Sequence, residues 1–163
     1  FPPRPAQPGS VPPDLCSARR RATDRLEVFA PPQRLADRFE GLFLARGVRH
    51  IAGAEAAIAQ LRQGCQLQLR AEPTNRQNPH AQQILDESGR EVGYLPNYLA
   101  DEFAKVRNSA DTIGLTVLKV NPPPGGVHHR LLCAFTCSLE LGAKLFQGTM
   151  YEPISADASP MAA

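Results

Sequence analysis

No stretch of this sequence approaches the roughly 20 consecutive apolar residues that a membrane-spanning helix needs. Its first residues also lack the basic-then-apolar order of a secretory leader. From these two absences we expect a cytoplasmic protein with no membrane partner. Catalytic signatures are missing as well: there is no glycine-rich phosphate loop, no GxSxG turn and no HExxH helix. The expectation is a protein that is not an enzyme, with no catalytic residues and no cofactor. Close cysteine spacing is scarce too, since of Cys16, Cys65, Cys133 and Cys137 only the last two are near neighbours, in a segment that reads as a strand. Residues four apart in a strand lie ~13 Å apart. That is too far for a disulfide, whose Cα atoms lie within roughly 7 Å, and for two thiolates sharing one zinc at bonds of about 2.3 Å. Buried, reduced thiols and no metal are expected. Lysine is rare, with 15 Arg against 3 Lys. Arginine suits bidentate phosphate and base contacts, although the many Ala and Pro residues give the bias a second source in a GC-rich genome.

What is present is enough for one domain and some extra: 163 residues, 42% of them apolar. The chain opens on Phe1 rather than Met, as a fragment or processed product would. The net charge of +2 says little, but its distribution says more. Residues 16–50 hold eight Arg against four acids, a balance of +4, whereas residues 51–163 hold nine basic residues against eleven acids, a balance of −2. A basic side on a near-neutral body fits a phosphate-facing surface, and it fits a solvated tail as well.

Six of the sixteen prolines fall in residues 1–13, which excludes a helix there. Residues 16–32 are Arg-rich, with one strand-like patch at Leu26, Val28 and Phe29 that Pro31-Pro32 ends. We therefore assign 1–37 to an N-terminal extension or linker, 38–141 to the folded domain and 142–163 to a flexible C-terminal tail. Strands are expected at 39–48, 65–70, 81–85, 91–95, 113–120 and 130–139. The pair 81–85 and 91–95 forms a hairpin around Asp86–Arg90. A short helix spans 54–62, with Ala54, Ala57, Ile58 and Leu61 on one face and Gly64 as its stop. A second helix starts at an N-cap Asn97. It carries Leu99, Phe103 and Val106 on its apolar face, Asp101 and Glu102 in its first turn, and Lys105 and Arg107 in its last. In the last strand Leu131, Cys133, Phe135, Cys137 and Leu139 share a face. This order predicts a mainly β fold: an OB-like, partly closed, six-stranded antiparallel barrel with two short helices. The paired carboxylates Asp86-Glu87 and Asp101-Glu102 read as turn and helix-start groups, and His128-His129 as an exposed loop pair.

The distinctive stretch is residues 69–97, LRAEPTNRQNPHAQQILDESGREVGYLPN. A Pro-stiffened polar loop runs directly into a hairpin that ends in Val92-Gly93-Tyr94-Leu95-Pro96. This resembles the HIRAN domain of helicase-like DNA-repair ATPases and of small bacterial proteins. Glu72, Pro73, Asn75, Pro79, Ala81, Gly93, Tyr94, Leu95 and Pro96 fall on the family pattern without a gap. Upstream, Gly47-Val48-Arg49-His50 matches its Gly-x-Arg-aromatic segment. The flanks 18–29 and 120–133 resemble bacterial members in which the domain follows a longer N-terminal region, so the chain reads as a C-terminal part.

The resemblance implies capture of the 3′ end of single-stranded DNA. By position, Arg49 and His50 would face the end nucleotides, and Asn75, Gln77 and Asn78 would contact the terminal sugar hydroxyl and phosphate. Tyr94 and Asn97 would complete the phosphate side. Arginine gives charge-assisted phosphate bonds, amides both donate and accept, and Tyr and His offer stacking faces. The implied role is accessory to DNA repair, restriction or defence, beside a larger ATPase or nuclease partner. The departures are specific. Gln77-Asn78 stands where DNA-binding members have Tyr-Asp, His50 where a Tyr is found, and Asn97 where a Lys occurs. These favour one alternative, a protein-interaction module with a degenerate DNA pocket. A second alternative, an accessory domain of a metal-binding hydrolase, follows from the ATPase and zinc-containing modules that accompany the family.

Overall fold

The computed structural model describes residues 16–20, 25–35, 38–106, 113–138, 144–148 and 151. They fall into two compact units, divided between Pro31 and Pro32. In the first, β1 (Cys16–Arg20) and β2 (Arg25–Phe29) make an antiparallel ribbon with Cys16 opposite Phe29. The Arg-rich segment thus holds two strands where the sequence suggests one. Alternation at Leu26 and Val28 marks β2, whereas the polar run of β1 has no such signature.

The second unit contains all six expected strands: β4 (Arg38–Leu44), β5 (Gln66–Ala71), β6 (Gln82–Leu85), β7 (Glu91–Tyr94), β8 (Ile113–Val120) and β9 (Leu131–Ser138). A further short strand, β3 (Gln33–Leu35), pairs with β4 and brings the sheet to seven. The order is β3-β4-β9-β8-β5-β6-β7, antiparallel throughout. Beyond β4, Arg46 and Tyr94 exchange two backbone hydrogen bonds of 2.9 and 2.8 Å. That single bridge brings the far edge strand β7 back onto the end of β4, and it is what makes the sheet a partly closed barrel of the mainly β, OB-like kind.

The core lies inside this curve. β9 runs between β4 and β8 and turns Leu131, Cys133, Phe135 and Cys137 inward, each 2% exposed or less. Phe135 meets Phe103 edge-on at 5.3 Å between ring centroids. Each such ring is worth about 3–5 kcal/mol against truncation to Ala. Burial pushes the Cys133 thiol up to about 12 and the Cys137 thiol up to about 11. Both are free and stay protonated and unreactive at neutral pH. Cys65 is free and half-buried, and the side chain of Cys16 lies outside the described residues. Two helices pack onto the same core, α1 (Ala54–Gln60) through Ala54, Ala57 and Ile58, and α2 (Asn97–Ala104) through Leu99, Ala100 and Phe103.

Several local expectations change. α1 ends at Gln60 with Leu61 already extended, so Gly64 turns the chain into β5 rather than stopping the helix. α2 is capped by Pro96, and Asn97 is its first helical residue with no side-chain cap bond. Pro favours the start of a helix because its missing N–H loses nothing there, and this shifts the frame by one residue. No acid then falls in the first turn. Glu102 instead turns inward at 5% exposure, accepting from Lys105 Nζ at 2.6 Å and from the Phe146 N–H at 2.9 Å. Leu145 is 2% exposed, and the segment from 144 returns to the core. Val106 ends half-buried beside the core, and Arg107 and Leu139 lie outside the described residues.

Candidate nucleic-acid interface

Where β7 meets the end of β4, three segments converge. The chain leaves β4 through Arg46 and Gly47 into a 3-10 turn, Val48–His50. The polar loop between β5 and β6 comes in beside it, and α2 begins directly after β7. Together they enclose a cavity of about 660 Å³. Gly47 sits at φ 68°, and a Cβ there would approach Tyr94 Cδ2 to 2.9 Å. Gly93 is equally tight, since its Cβ would meet the Arg46 carbonyl at 3.0 Å. These two glycines let the seam close and let the Tyr94 ring lie against the turn.

The loop holds itself rigid by its own amides. Asn75 Nδ2 donates to Glu72 Oε2 at 2.8 Å, and its Oδ1 accepts the N–H groups of Gln77 and Asn78 at 3.0 and 3.3 Å. This is an Asx-type turn. Asn78, only 7% exposed, donates to Asp101 Oδ1 at 3.0 Å and accepts the His80 N–H at 2.7 Å. On the opposite wall Arg70 Nε donates to Gln83 Oε1 at 2.7 Å, which fixes the amide so that Gln83 Nε2 donates to the Tyr94 hydroxyl at 3.2 Å. Arg70 is itself paired with Glu91.

His50, Asn75, Gln77, Asn78, Tyr94 and Asn97 all line this one cavity. Arg49 does not. It lines a smaller neighbouring cleft of about 300 Å³ with Val127 and His128, and its Nε donates to His50 Nε2 at 2.9 Å. Two further lining residues, Arg46 and Tyr98, escape the sequence reading. Arg46 lines both cavity and cleft, and among the lining residues of the cavity it carries the fixed positive charge, with no Asp or Glu beside it. Tyr98 is 41% exposed. Partial burial raises its phenol above the usual value against the pull of the Arg46 charge, so it stays a protonated hydroxyl at neutral pH. The available signal was position alone: each directly adjoins a matched segment.

A basic side chain, two phenols, an imidazole and four amides around an acid-free hollow make a surface for a phosphate-bearing chain with stackable rings. The HIRAN domain family profile matches residues 41–141. The chain belongs to the HIRAN family. Domains of this family are nucleic-acid-binding modules. Among solved structures, the HIRAN domain of human HLTF covers 62% of this chain and 74% of its own, at 19% identity and a TM-score of 0.44. A protein from Lactobacillus plantarum covers 62% of this chain and 92% of its own, at 18% identity and a TM-score of 0.47. Among curated proteins none matches this sequence.

Two other expectations about this HIRAN domain meet the structure away from the cavity. Asp86 is 3% exposed and caps its own hairpin turn, accepting from the Ser88 and Arg90 N–H groups and from Arg90 Nε, all within 2.9 Å. His128 and His129 are exposed in a 3-10 turn, their rings 4.1 Å apart. Among the described residues no three His, Cys, Asp or Glu side chains cluster as metal ligands, and no helix is long and apolar enough to cross a membrane.

Proposed function

We propose that this HIRAN domain binds single-stranded DNA at its 3′ end, as an accessory module to a repair, restriction or defence system with a larger ATPase or nuclease partner. The observation that carries the proposal is the convergence of His50, Asn75, Gln77, Asn78, Tyr94 and Asn97 on one cavity, with Arg46 supplying its charge. A cavity of about 660 Å³ fits within the usual range for a small bound group, ~300–1,000 Å³. It therefore suits a terminal nucleotide rather than the length of a strand. Tyr94, Tyr98 and His50 provide faces for a base, and a stacked base is worth about 1–3 kcal/mol. Arg49 and His128 line the adjoining cleft, to which we assign the preceding nucleotides.

The test is competition, read by fluorescence anisotropy of a short labelled strand. Unlabelled linear strands should displace it, whereas a circular strand of the same sequence should not. A strand whose 3′ end is hidden in a hairpin should compete as poorly as the circle, and one with its 5′ end hidden should compete fully. Equal competition by circle and line would remove end recognition. Absence of binding to any strand would leave a protein-interaction role as the better reading.

A further inference from the structure

Three ring-bearing side chains line the cavity, and they are held unequally. Tyr98 is 41% exposed, and His50 is exposed beside its neighbour Arg49. Tyr94 is half-buried and fixed at both ends. At the base of its ring, Gly47 lies so near that a Cβ there would come within 2.9 Å of Cδ2. At its tip the hydroxyl accepts from Gln83 Nε2 at 3.2 Å. Gln83 is only 8% exposed, and its own amide is fixed, because its Oε1 accepts from Arg70 Nε at 2.7 Å. Arg70 is in turn paired with Glu91. The sheet builds this brace directly. Arg70 in β5 stands opposite Gln83 in β6, and Gln83 stands opposite Tyr94 in β7. Residues directly opposite share a face and touch, so the three side chains form one row across three strands. A one-residue slip would send Gln83 to the other face and break the row. Arg70, Gln83 and Glu91 are not among the residues that carry the family pattern, so the brace belongs to this chain's own sequence.

We infer that Gln83, held by Arg70, is a positioning residue for strand binding that sets the Tyr94 ring in advance as the face on which a base stacks, an assignment that rests on the end-binding reading above. Gln77 occupies the loop position where DNA-binding members carry a Tyr, so the loop supplies no ring of its own. Stacking uses the face of a ring and leaves its edge and hydroxyl free for the brace. An amide suits the middle of the row, since one group accepts from the guanidinium while the other donates to the phenol. A ring ordered before the strand arrives removes the ordering cost that association otherwise carries.

The experiment is a double-mutant cycle on the full chain. Affinity for a labelled single strand is read by anisotropy, and the Tyr94 χ1 rotamer is read by NMR from three-bond couplings with no strand present. Gln83→Met keeps the length of the side chain and removes both hydrogen bonds. With Tyr94 in place it should weaken strand binding about three- to tenfold, the usual cost of immobilising one side chain on binding. It should also replace a single Tyr94 rotamer by an average. In the Tyr94→Phe background there is no hydroxyl to hold, and the same substitution should change affinity by less than about twofold. Gln83→Glu keeps an acceptor for Arg70 and a partner for the hydroxyl, and should keep the single rotamer. If Gln83→Met does not fold, as judged by circular dichroism, Arg70→Met unfixes the amide from the exposed side and takes its place, read as the difference between the two backgrounds. Equal losses in both backgrounds overturn the inference, because Gln83 would then support the sheet and not the ring. A Tyr94 rotamer that stays single without the Gln83 amide overturns it too. In both cases end binding stands. A wild type that binds no strand removes the end-binding reading and the role of Gln83 in it together.

Discussion

Gly47 does two jobs at one Cα. Its φ of 68° lies in the left-handed region, and the Tyr94 ring occupies the space a side chain would take. Replacing it with Ala sets a left-handed cost of about 1–2 kcal/mol on top of a displaced ring. Gly47→Ala should therefore lower the thermal midpoint and weaken strand binding together. Asp86 is the residue whose charge state the fold controls. Burial alone would raise its pKa, but hydrogen bonds from the Arg90 and Ser88 N–H groups and from the Arg90 side chain outweigh burial and hold it below the usual 3.8. A depressed folded-state value means that the ionised form stabilises the fold above pH 3.8 and that this contribution is lost as pH falls through and below that point. Asp86→Asn should flatten the acid limb of a stability-versus-pH curve while leaving strand affinity unchanged, since Asp86 is remote from the cavity lining. At this scale Gly47, Tyr94 and the Asn75 loop were legible because their residue types announce a backbone or hydrogen-bonding need. Arg46 was not, because an arginine near the end of an expected strand reads the same in solvent as beside a cavity.

At the scale of elements, the hairpin of β6 and β7 and the apolar face of β9 were readable from alternation and from turn residues at Asp86–Arg90. The strand β3 and the return of the chain at Leu145 were not. Three residues give too short a pattern to show a period, and the Leu145-Phe146 pair beside Lys144 and Gln147 gives none. The return is nonetheless part of the core: Leu145 is 2% exposed, Phe146 meets Phe39 at 5.3 Å, and Glu102 accepts the Phe146 N–H. Leu145→Ala should cost about 2–5 kcal/mol, read as a lower urea midpoint with unchanged slope. A cost under about 0.5 kcal/mol, the usual size of a surface change, would mean that the segment is only laid against the domain. The Pro96 start of α2 shows a different failure of sequence reading. Two adjacent residues, Pro96 and Asn97, both suit a helix start, and only the backbone decides between them.

Across the whole molecule, the net charge of +2 is too small to drive binding by itself, so the placement of a few arginines decides. On a single strand the logarithm of affinity falls with the logarithm of salt by about 0.7 per neutralised phosphate. Arg46→Ala should therefore reduce the slope by about 0.7. Its backbone bridge to Tyr94 is independent of the side chain and should leave the melting temperature close to the wild type. The bridge has a further meaning. Arg46 and Tyr94 bridge the ends of β4 and β7 through their backbones, and both residues line the cavity. Any molecule lodged in the hollow lies against the one bridge that ties the two strand ends together, so occupancy and bridging become one equilibrium. The amide hydrogens of these two residues are its natural dial, and their exchange with deuterium should slow together as the cavity fills.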